Sequence, residues 1–438
     1  MSARRQLAAL LAAVALAACT SASPGSSSQP SATAGSPSGS ASPSVAPEGL
    51  IGPSASRALA KLCPSRPFGG GQAPAEGSAP AIVERVEGQV EGIRGLDFTR
   101  RVPVDAVTHN ELVSGLERTF DAVYPTAFLR RRSLAWSTIG AIPPGTQIRQ
   151  QLEAFAGSQV VGYYDEVSKY LVFLGSDDPA PAELVTLAHE LTHALDDQHF
   201  GLMRLDELAG DCQEEGFQAA LALAEGDATY VMIAYAQQFL SLEEQLGLAS
   251  QGGSLPDGIA PFVVRLQTWP YTAGLGFVQR LIGEGGERAV DAAFRRLPVS
   301  TEQIIDPSAY PDDRPTALDV PQLAPALGEG WKDLDVQAAG AAWLSILLGL
   351  RLNQDRASAA VRGWEGGLYR AWRDGANVAV VLRTTWQDPG AASRFADAMS
   401  EWVADGSAFA EVGRPTGNEV TVLFASSGKP LAALRLIV

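Results

Sequence analysis

One pentapeptide contains the residue types from which a catalytic metal site is built. His189, Glu190 and His193 form the pattern H-E-x-x-H, and residues four apart lie on one face of an α-helix, so both imidazoles can reach one metal ion. Glu190 is rotated about 100° from His189 and can reach a water molecule beside the metal without being a ligand. In a chain with four histidines, this pattern is expected by chance only roughly a few times in a thousand. We therefore expect a Zn²⁺ site with Glu190 as general base, because Zn²⁺ binds neutral imidazoles and carboxylates and lowers the pKa of its water to about 7.

A catalytic zinc site needs a third protein ligand, and the sequence contains two main candidates beside the nearby acids Asp211, Glu214 and Glu215. His199 comes six residues after His193, which is the ligand spacing of metzincins, but Asp196 stands where those enzymes have the glycine that turns the chain. A helix that continues past His193 would carry His199 about 280° around the axis from His189. The other candidate is Glu225, whose carboxylate could approach the metal from a second helix. The residues leave both candidates open.

The sequence resembles the gluzincins, in which H-E-x-x-H is followed by a glutamate ligand on a later helix, and among them the bacterial peptidase-MA-like proteins. The resemblance rests on His189–His193, on the segment E-G-D-A that begins at Glu225, and on Tyr271–Val278, which has the pattern Y-x-x-G-x-x-F-V. It covers the chain from Val160 to Tyr310. It implies a zincin-like fold, peptidase activity and Glu225 as the third ligand, with His199 as the alternative.

Two further residues are expected beside the metal. Asp227 comes two positions after Glu225, whereas thermolysin-like enzymes have a supporting aspartate four positions after their glutamate ligand. On a helix Asp227 is rotated about 200° from Glu225, so the two are not expected to bind the metal together. Asp227 could accept a hydrogen bond from a ligand imidazole, and a solvated helix carboxylate is the alternative. Peptide hydrolysis also needs a donor for the developing oxyanion, and we assign this role to Tyr271. The other candidates for it are Tyr163, Tyr164 and His199.

Hydrophobic periodicity indicates which elements position these residues. An apolar stripe on the face away from the histidines predicts a helix from about Ala182 to Gln198, and a second long helix over Glu214–Phe239 would present Glu225. Two runs rich in β-forming residues, Gln159–Tyr164 and Lys169–Leu174, predict a β-hairpin before the metal helix. In gluzincins a strand at this place presents its edge to an extended substrate, so we expect the same of this hairpin.

The N-terminus is expected to be a targeting signal. Arg4 and Arg5 precede the apolar stretch Gln6–Ala18, which ends in Leu-Ala-Ala before Cys19 in the manner of the lipobox of bacterial lipoprotein precursors. Residues 1–18 would be removed and Cys19 would carry a diacylglyceryl group. Residues 19–57, rich in Ser, Pro, Gly and Ala, would form a flexible tether. We therefore expect the protein to be lipid-anchored at the cell membrane, on the extracytoplasmic face.

Charge and cysteine content narrow the possible partners. The chain has 33 Lys and Arg against 49 Asp and Glu, a net charge of −16, which argues against nucleic acid because phosphate binding needs a basic excess. With Cys19 lipidated, Cys63 and Cys212 remain, and in an exported protein they are candidates for one disulfide. Two buried free thiols are the alternative.

These observations predict an α+β protein with two folded parts. Residues 58–310 would form the zincin-like domain, with the hairpin edge before the H-E-x-x-H helix, and residues 311–438 a smaller C-terminal α+β module. The predicted function is zinc-dependent hydrolysis of a peptide or protein substrate. The alternatives are a lipid-anchored binding or assembly protein on a degenerate peptidase fold, and a zinc hydrolase of a non-peptide amide.

Overall fold

The fold of the chain is mixed α+β, with long helices and two β-sheets. The computed structural model describes residues 50–63, 80–108, 111, 114, 125–159, 162–174, 179–250, 258–306, 308–406 and 409–438. The predictions for the signal, for Cys19 and for most of the tether fall outside these ranges. Within them, no helix has both the length and the apolar character that crossing a bilayer requires.

The part of the chain before residue 310 is mainly helical. Its helices are α1 (Pro53–Leu62), α2 (Ala81–Arg94), α3 (Thr126–Ile139), α4 (Ile148–Gln159), α5 (Pro181–Phe200), α6 (Met203–Gly210), α7 (Glu214–Phe239), α8 (Leu242–Ser250), α9 (Pro261–Gly285), α10 (Glu287–Arg295) and α11 (Thr301–Ile305). Both long helices expected around the metal site are confirmed as α5 and α7. Because α1 begins at Pro53, the last five residues of the predicted tether are helical.

The sequence sets both ends of α5. Pro181 occupies its first turn, where a missing backbone N–H costs nothing, and the Glu183 carboxylate accepts a hydrogen bond from the Ala180 amide at 2.6 Å. The helix ends at Gly201, whose φ of 73° lies in the left-handed region that glycine adopts without strain. The chain therefore does not turn at Asp196, and α5 continues for two turns beyond His193.

A three-stranded sheet precedes α5. It consists of β1 (Val104–Val107), β2 (Gly162–Asp165) and β3 (Tyr170–Leu174) in the order β1-β3-β2, with β1 parallel and β2 antiparallel to β3. The predicted hairpin is confirmed as β2 and β3, but its first strand begins at Gly162. The reason is that Gln159 still belongs to helix α4.

The C-terminal part is built on an antiparallel sheet. Its strands are β4 (Lys332–Ala338), β5 (Trp364–Asp374), β6 (Asn377–Trp386), β7 (Ala410–Val412) and β8 (Glu419–Ala425), in the order β4-β5-β6-β8-β7. The helices of this part are α12 (Ala324–Leu327), α13 (Ala341–Leu348), α14 (Gln354–Ala360), α15 (Pro389–Ala404) and α16 (Gly428–Leu434). The expected α+β character of this module is therefore present.

One buried apolar cluster joins the two parts. Phe128 and Trp136 of α3 and Phe262 of α9 belong to the same cluster as Trp343 of α13 and Leu368 of β5. The predicted boundary at residue 310 thus runs through a shared core, and the division into domains stays a prediction.

A disulfide ties α1 to the chain before α7. It joins Cys63 to Cys212, which are 149 positions apart in the sequence and have Cα atoms 6.5 Å apart. Of the two arrangements expected for these cysteines, the structure has the paired one.

Candidate metal centre

The two histidines of α5 and Glu225 of α7 converge on one point. His189 Nε2 lies 3.1 Å from Glu225 Oε2, and His193 Nε2 lies 3.1 Å from His189 Nε2 and 3.4 Å from Glu225 Oε2. Among the described residues, this is the group of His, Cys, Asp and Glu side chains whose ligand atoms are close enough to share a metal ion. The structure therefore brings Glu225, and not His199, to the pair of histidines.

The separations between the three ligand atoms fit Zn²⁺. Zinc holds nitrogen and oxygen ligands at about 2.0–2.1 Å in tetrahedral geometry, which places neighbouring ligand atoms about 3.3–3.4 Å apart. The observed separations are 3.1, 3.1 and 3.4 Å. Two imidazoles and one carboxylate are also the donor types that zinc takes in hydrolytic sites with an open fourth position. Donor set and spacing are thus both suited to this metal.

A close crossing of α7 and α9 brings Glu225 and Tyr271 to the same place. A Cβ atom on Gly226 would clash with the backbone of Gly274, and one on Gly274 would clash with the carbonyl oxygen of Ala222. The two helices can therefore touch only because both positions are glycine. Since Glu225 adjoins Gly226 and Tyr271 comes one turn before Gly274, the crossing positions both side chains. The glycines of the E-G-D-A and Y-x-x-G patterns are therefore needed for the close contact of the two helices.

The Tyr271 ring lies over one of the ligand imidazoles. Its centroid is 6.0 Å from that of His189, and the ring planes are 21° apart. Burial raises the pKa of the Tyr271 hydroxyl well above its usual value, and the nearby carboxylates of Glu225 and Glu190 raise it further. Tyr271 therefore stays protonated at neutral pH, and its hydroxyl forms a hydrogen bond with the Glu225 carboxylate at the candidate metal centre.

A backbone amide of the hairpin holds Glu190. The Tyr164 N–H donates to Glu190 Oε2 at 3.0 Å. Burial raises the pKa of Glu190, while His189 and His193 oppose the increase. A carboxylate with a raised pKa is a better proton acceptor at neutral pH, as a general base requires.

The side chains of His193 and Glu225 shift each other's pKa values through electrostatic attraction. Burial lowers the pKa of His193, but the carboxylate of Glu225 outweighs burial and raises this pKa to about 10. For Glu225 the order is the same, since burial would raise its pKa and the two imidazoles hold it below its usual range. A metal cation replaces the imidazole proton when it binds, so zinc uptake at this centre must release protons.

The structure places His199 away from the metal. Helix α5 runs unbroken to Phe200, and His199 Nε2 lies 2.9 Å from the carbonyl oxygen of Asp97 on the protein surface. A continuous helix turns His199 to another side of α5, as its position relative to His189 indicates. The candidate Tyr164 is not at the metal either, because its hydroxyl donates to Asp197 at 2.8 Å.

The prediction for Asp227 is wrong. Its Oδ2 accepts a hydrogen bond from Arg94 Nε at 2.8 Å instead of one from a ligand imidazole. The cause is the helix angle, because Asp227 leaves α7 on the side opposite Glu225 and points to α2. Nδ1 of His189 is buried and has no hydrogen-bond partner among the described residues.

Arg94 is a buried residue beside the candidate site that the sequence did not reveal. Its guanidinium is buried and contacts Asp227 of α7 at 2.8 Å, Asp196 of α5 at 3.5 Å and two carboxylates of α10. Those two are Asp291 at 2.9 Å and Glu287 at 3.3 Å. Arg94 thus connects both helices that carry metal ligands. The sequence pattern gave no indication of this, because a single arginine in the last turn of a helix is usually exposed to solvent.

A second network fastens the hairpin to α5. The Asp197 carboxylate is buried and accepts hydrogen bonds from the Tyr164 hydroxyl at 2.8 Å, from Lys169 Nζ at 2.7 Å and from the Leu202 amide at 2.9 Å. Asp197 is seven residues after Glu190, so both lie on the same face of α5. Tyr164 therefore bonds α5 twice, with its hydroxyl to Asp197 and with its backbone to Glu190.

Comparison with known proteins adds one match. A family described as a domain of unknown function (DUF8575) matches residues 288–433, which run from within α10 to α16. The metal centre lies outside the matched residues. No curated protein matches the chain. No solved structure matches it either.

Proposed function

We propose that this protein is a zinc-dependent metallopeptidase of the gluzincin type, with a zincin-like domain around the metal and a lipid anchor that holds it outside the cell membrane. The observation that carries the proposal is the convergence of His189, His193 and Glu225 with Glu190 beside them. A site that only stored a metal would not need Glu190. Its carboxylate accepts a hydrogen bond from the Tyr164 amide of strand β2 and is not one of the three converging ligands.

The chain's own residues divide the work of hydrolysis. When bound, Zn²⁺ supplies Lewis acidity that lowers the pKa of a water molecule and polarises the substrate carbonyl. Glu190 takes a proton from the attacking water and passes it to the leaving nitrogen. The hydroxyl of Tyr271 donates a hydrogen bond to the oxyanion that develops on the carbonyl. Tyr164 keeps Glu190 in position through its backbone N–H.

Strand β2 supports a peptide or protein as the substrate. It is an outer strand of its sheet, since the order is β1-β3-β2. Its remaining edge faces the metal helix, because the Tyr164 amide reaches Glu190. An extended peptide can pair with such an edge through its main chain and present its carbonyl to the metal. The acidic net charge of −16 favours this class of partner over nucleic acid.

The Glu190→Gln variant tests the proposal. The change keeps size and hydrogen bonding but removes the proton acceptor, so zinc content should stay near one per chain while peptide turnover falls by several orders of magnitude. Zinc content is measured by inductively coupled plasma mass spectrometry of the purified protein. Turnover is measured by mass spectrometry of the products from a broad panel of peptides. Glu243→Gln, the same change on the exposed face of α8, is the control and should keep both.

Three results would count against the proposal. Peptide turnover that survives in Glu190→Gln would remove the general base from the mechanism. Bound zinc without cleavage of any peptide would favour a binding or assembly protein. Cleavage of cell-wall amides alone would favour a hydrolase of non-peptide bonds.

A further inference from the structure

A cavity of about 240 Å³ lies between the metal centre and the C-terminal module. Its walls come from α3, α4, α6, α7 and α9 on one side and from β4 and α13 on the other. Its volume exceeds the roughly 150 Å³ of an engineered apolar cavity that holds benzene. It is therefore large enough for a long side chain. None of the residues assigned to the metal centre lines it, so the proposed hydrolysis leaves the cavity without a role.

The cavity begins one helical turn from the metal. Leu221, four residues before Glu225 on α7, lines it, and so does Gln267, four residues before Tyr271 on α9. Four residues of helix span about 6 Å. The two helices touch at Gly226 and Gly274, and on the N-terminal side of this crossing the space between them is open and forms the cavity.

The ionisable groups in the wall are mostly acidic. Asp206, Glu214 and Glu215 line the cavity together with one cationic side chain, Arg132. Arg132 is already engaged, since it forms ion pairs with Glu214 and with Asp335, the latter at 3.0 Å. Glu215 Oε1 accepts hydrogen bonds from the amide and the hydroxyl of Thr301, which also lines the cavity. The described wall thus contains three carboxyl groups and one cation.

Several polar atoms of the wall are buried without a hydrogen-bond partner among the described residues. Two of them are acceptors, namely Glu214 Oε2 and Gln218 Oε1, and one is a donor, Nε1 of the buried Trp343. The carboxyl of Asp206 has a partner, because it forms a hydrogen bond with the carboxyl of Glu166. Leaving such groups unpaired costs about 1–3 kcal/mol each. A ligand that brings hydrogen-bond donors would therefore be stabilised in this cavity.

Burial raises the pKa values of two of these carboxyl groups. Burial raises the pKa of Asp206 to about 8, and the adjacent carboxyl of Glu166 contributes to the increase. Burial also raises the pKa of Glu215 to about 7. A bound cation would reverse both shifts by favouring the ionised carboxylates. The rest of the wall is largely apolar, with Leu221 and Trp136 among its side chains, and suits an aliphatic stem.

We propose that this cavity binds the arginine or lysine side chain of a basic residue next to the scissile bond of the substrate. The proposal rests on the proposed peptidase function. An acidic side chain would meet three carboxyl groups, and a wholly apolar one would leave the acceptors unpaired. The net charge of −16 would in addition attract basic substrates from a distance.

Binding of n-butylguanidinium tests the site without any turnover, and n-butylurea is its neutral isostere. Titration calorimetry on the full-length protein at neutral pH should show butylguanidinium binding at least about tenfold more tightly than butylurea, as expected for hydrogen bonds to charged groups. The double variant Asp206→Asn, Glu214→Gln should abolish this preference. Asp211→Asn, an exposed aspartate that does not line the cavity, should keep it. Equal binding of the two probes by the unmodified protein would overturn the proposal.

Turnover separates this proposal from the peptidase function itself. Peptides that differ only in arginine, lysine, citrulline, phenylalanine or glutamate beside the scissile bond should show kcat/KM at least about tenfold higher for arginine than for citrulline. The double variant should bring this ratio close to one. If all peptides are cleaved without this ratio, the cavity proposal fails and the peptidase stands. If none is cleaved but butylguanidinium keeps its preference, the peptidase proposal fails and the cation site stands.

Discussion

Glu190 and Glu225 are two carboxylates at one site whose surroundings shift their pKa values in opposite directions. Burial raises the pKa of Glu190, which accepts a hydrogen bond from the backbone N–H of Tyr164. At Glu225 the two imidazoles outweigh burial and lower the pKa. Such a divergence separates a proton acceptor from a metal ligand. The opposite shifts follow from the element that each carboxylate faces, a strand for Glu190 and the histidine helix for Glu225, and they fit the two roles proposed for these residues.

The choice between Glu225 and His199 as third ligand leads to a prediction at this scale. Glu225→Ala removes a ligand atom that lies 3.1 Å from His189 Nε2, so bound zinc should fall well below one per chain. His199→Ala removes a surface contact with a carbonyl oxygen and should leave zinc near one per chain. Metal analysis of both purified variants, with the unmodified protein as reference, measures this. Full zinc in Glu225→Ala with zinc loss in His199→Ala would reverse the ligand assignment.

The residues that sequence analysis found at the site share one property. His189, Glu190 and His193 lie within five positions of one another, so the helical period alone places them together. Glu225 could be chosen over His199 only through the resemblance to gluzincins, because no local spacing brings it to the histidines. Arg94 escaped detection since its partner Asp227 is 133 positions away. The short-range part of the site could therefore be predicted from the sequence, whereas the contact of Asp227 could not, because a cation distant in sequence determines it.

At the scale of elements, the site depends on how close α7 comes to α9. Helix α7 spans Glu214–Phe239, as the apolar pattern predicted, but the pattern does not reveal which helix it touches. The contact is decided by Gly226 and Gly274, where neither helix tolerates a Cβ atom. Helix α4 was not predicted at all, and the strand assigned from Gln159 starts three residues later. Local propensity therefore gave the types of most elements correctly, while their ends and packing depended on tertiary contacts.

A methyl group at the helix crossing should disturb the metal centre. Gly274→Ala places a Cβ against the carbonyl oxygen of Ala222, so α9 must move away and take Tyr271 with it. We expect a loss of about 1–3 kcal/mol in the free energy of unfolding, as for other overpacked cores, together with lower zinc content. Urea unfolding and metal analysis measure the two effects.

Gly276→Ala is the matched control for this prediction. Gly276 lies on the same helix, and a Cβ there meets no atom within 4 Å. Because alanine is the better helix former, this variant should gain about 0.5–1 kcal/mol in the free energy of unfolding. Equal effects of the two substitutions would show that the crossing is not tight.

At the scale of the whole molecule, the C-terminal module is part of the structure around the site. Trp136 of α3 donates a hydrogen bond from Nε1 to Gln337 Oε1 of β4 at 2.9 Å across 201 positions of sequence. Both residues line the cavity beside the metal. The match to a domain of unknown function begins at residue 288, within α10, and includes neither α7 nor α9. Contacts of such sequence separation leave no periodic signal, so the sequence could not predict the core that crosses residue 310, and the division into two domains stays a prediction.

The disulfide between Cys63 and Cys212 also connects distant parts of the molecule. It connects α1, which packs in the core shared with the C-terminal sheet, to the chain just before α7, which carries Glu225. Closing a loop across 149 positions removes unfolded-state entropy worth about 5 kcal/mol in the chain-entropy model. Neither cysteine contacts the metal ligands, so the stabilisation should be separable from zinc binding.

The double variant Cys63→Ser, Cys212→Ser should therefore lose about 4–5 kcal/mol in the free energy of unfolding while its zinc content in native buffer stays near one per chain. Urea unfolding with and without reductant measures the first quantity, and reductant should leave the double variant unchanged because it has no bond between these positions to lose. The unmodified protein, alkylated without reduction, should show neither cysteine modified in its mass spectrum. Two alkylated cysteines would contradict the pairing. A variant that unfolds like the unmodified protein would show that residual structure in the unfolded chain, and not loop entropy, determines the effect of this bond.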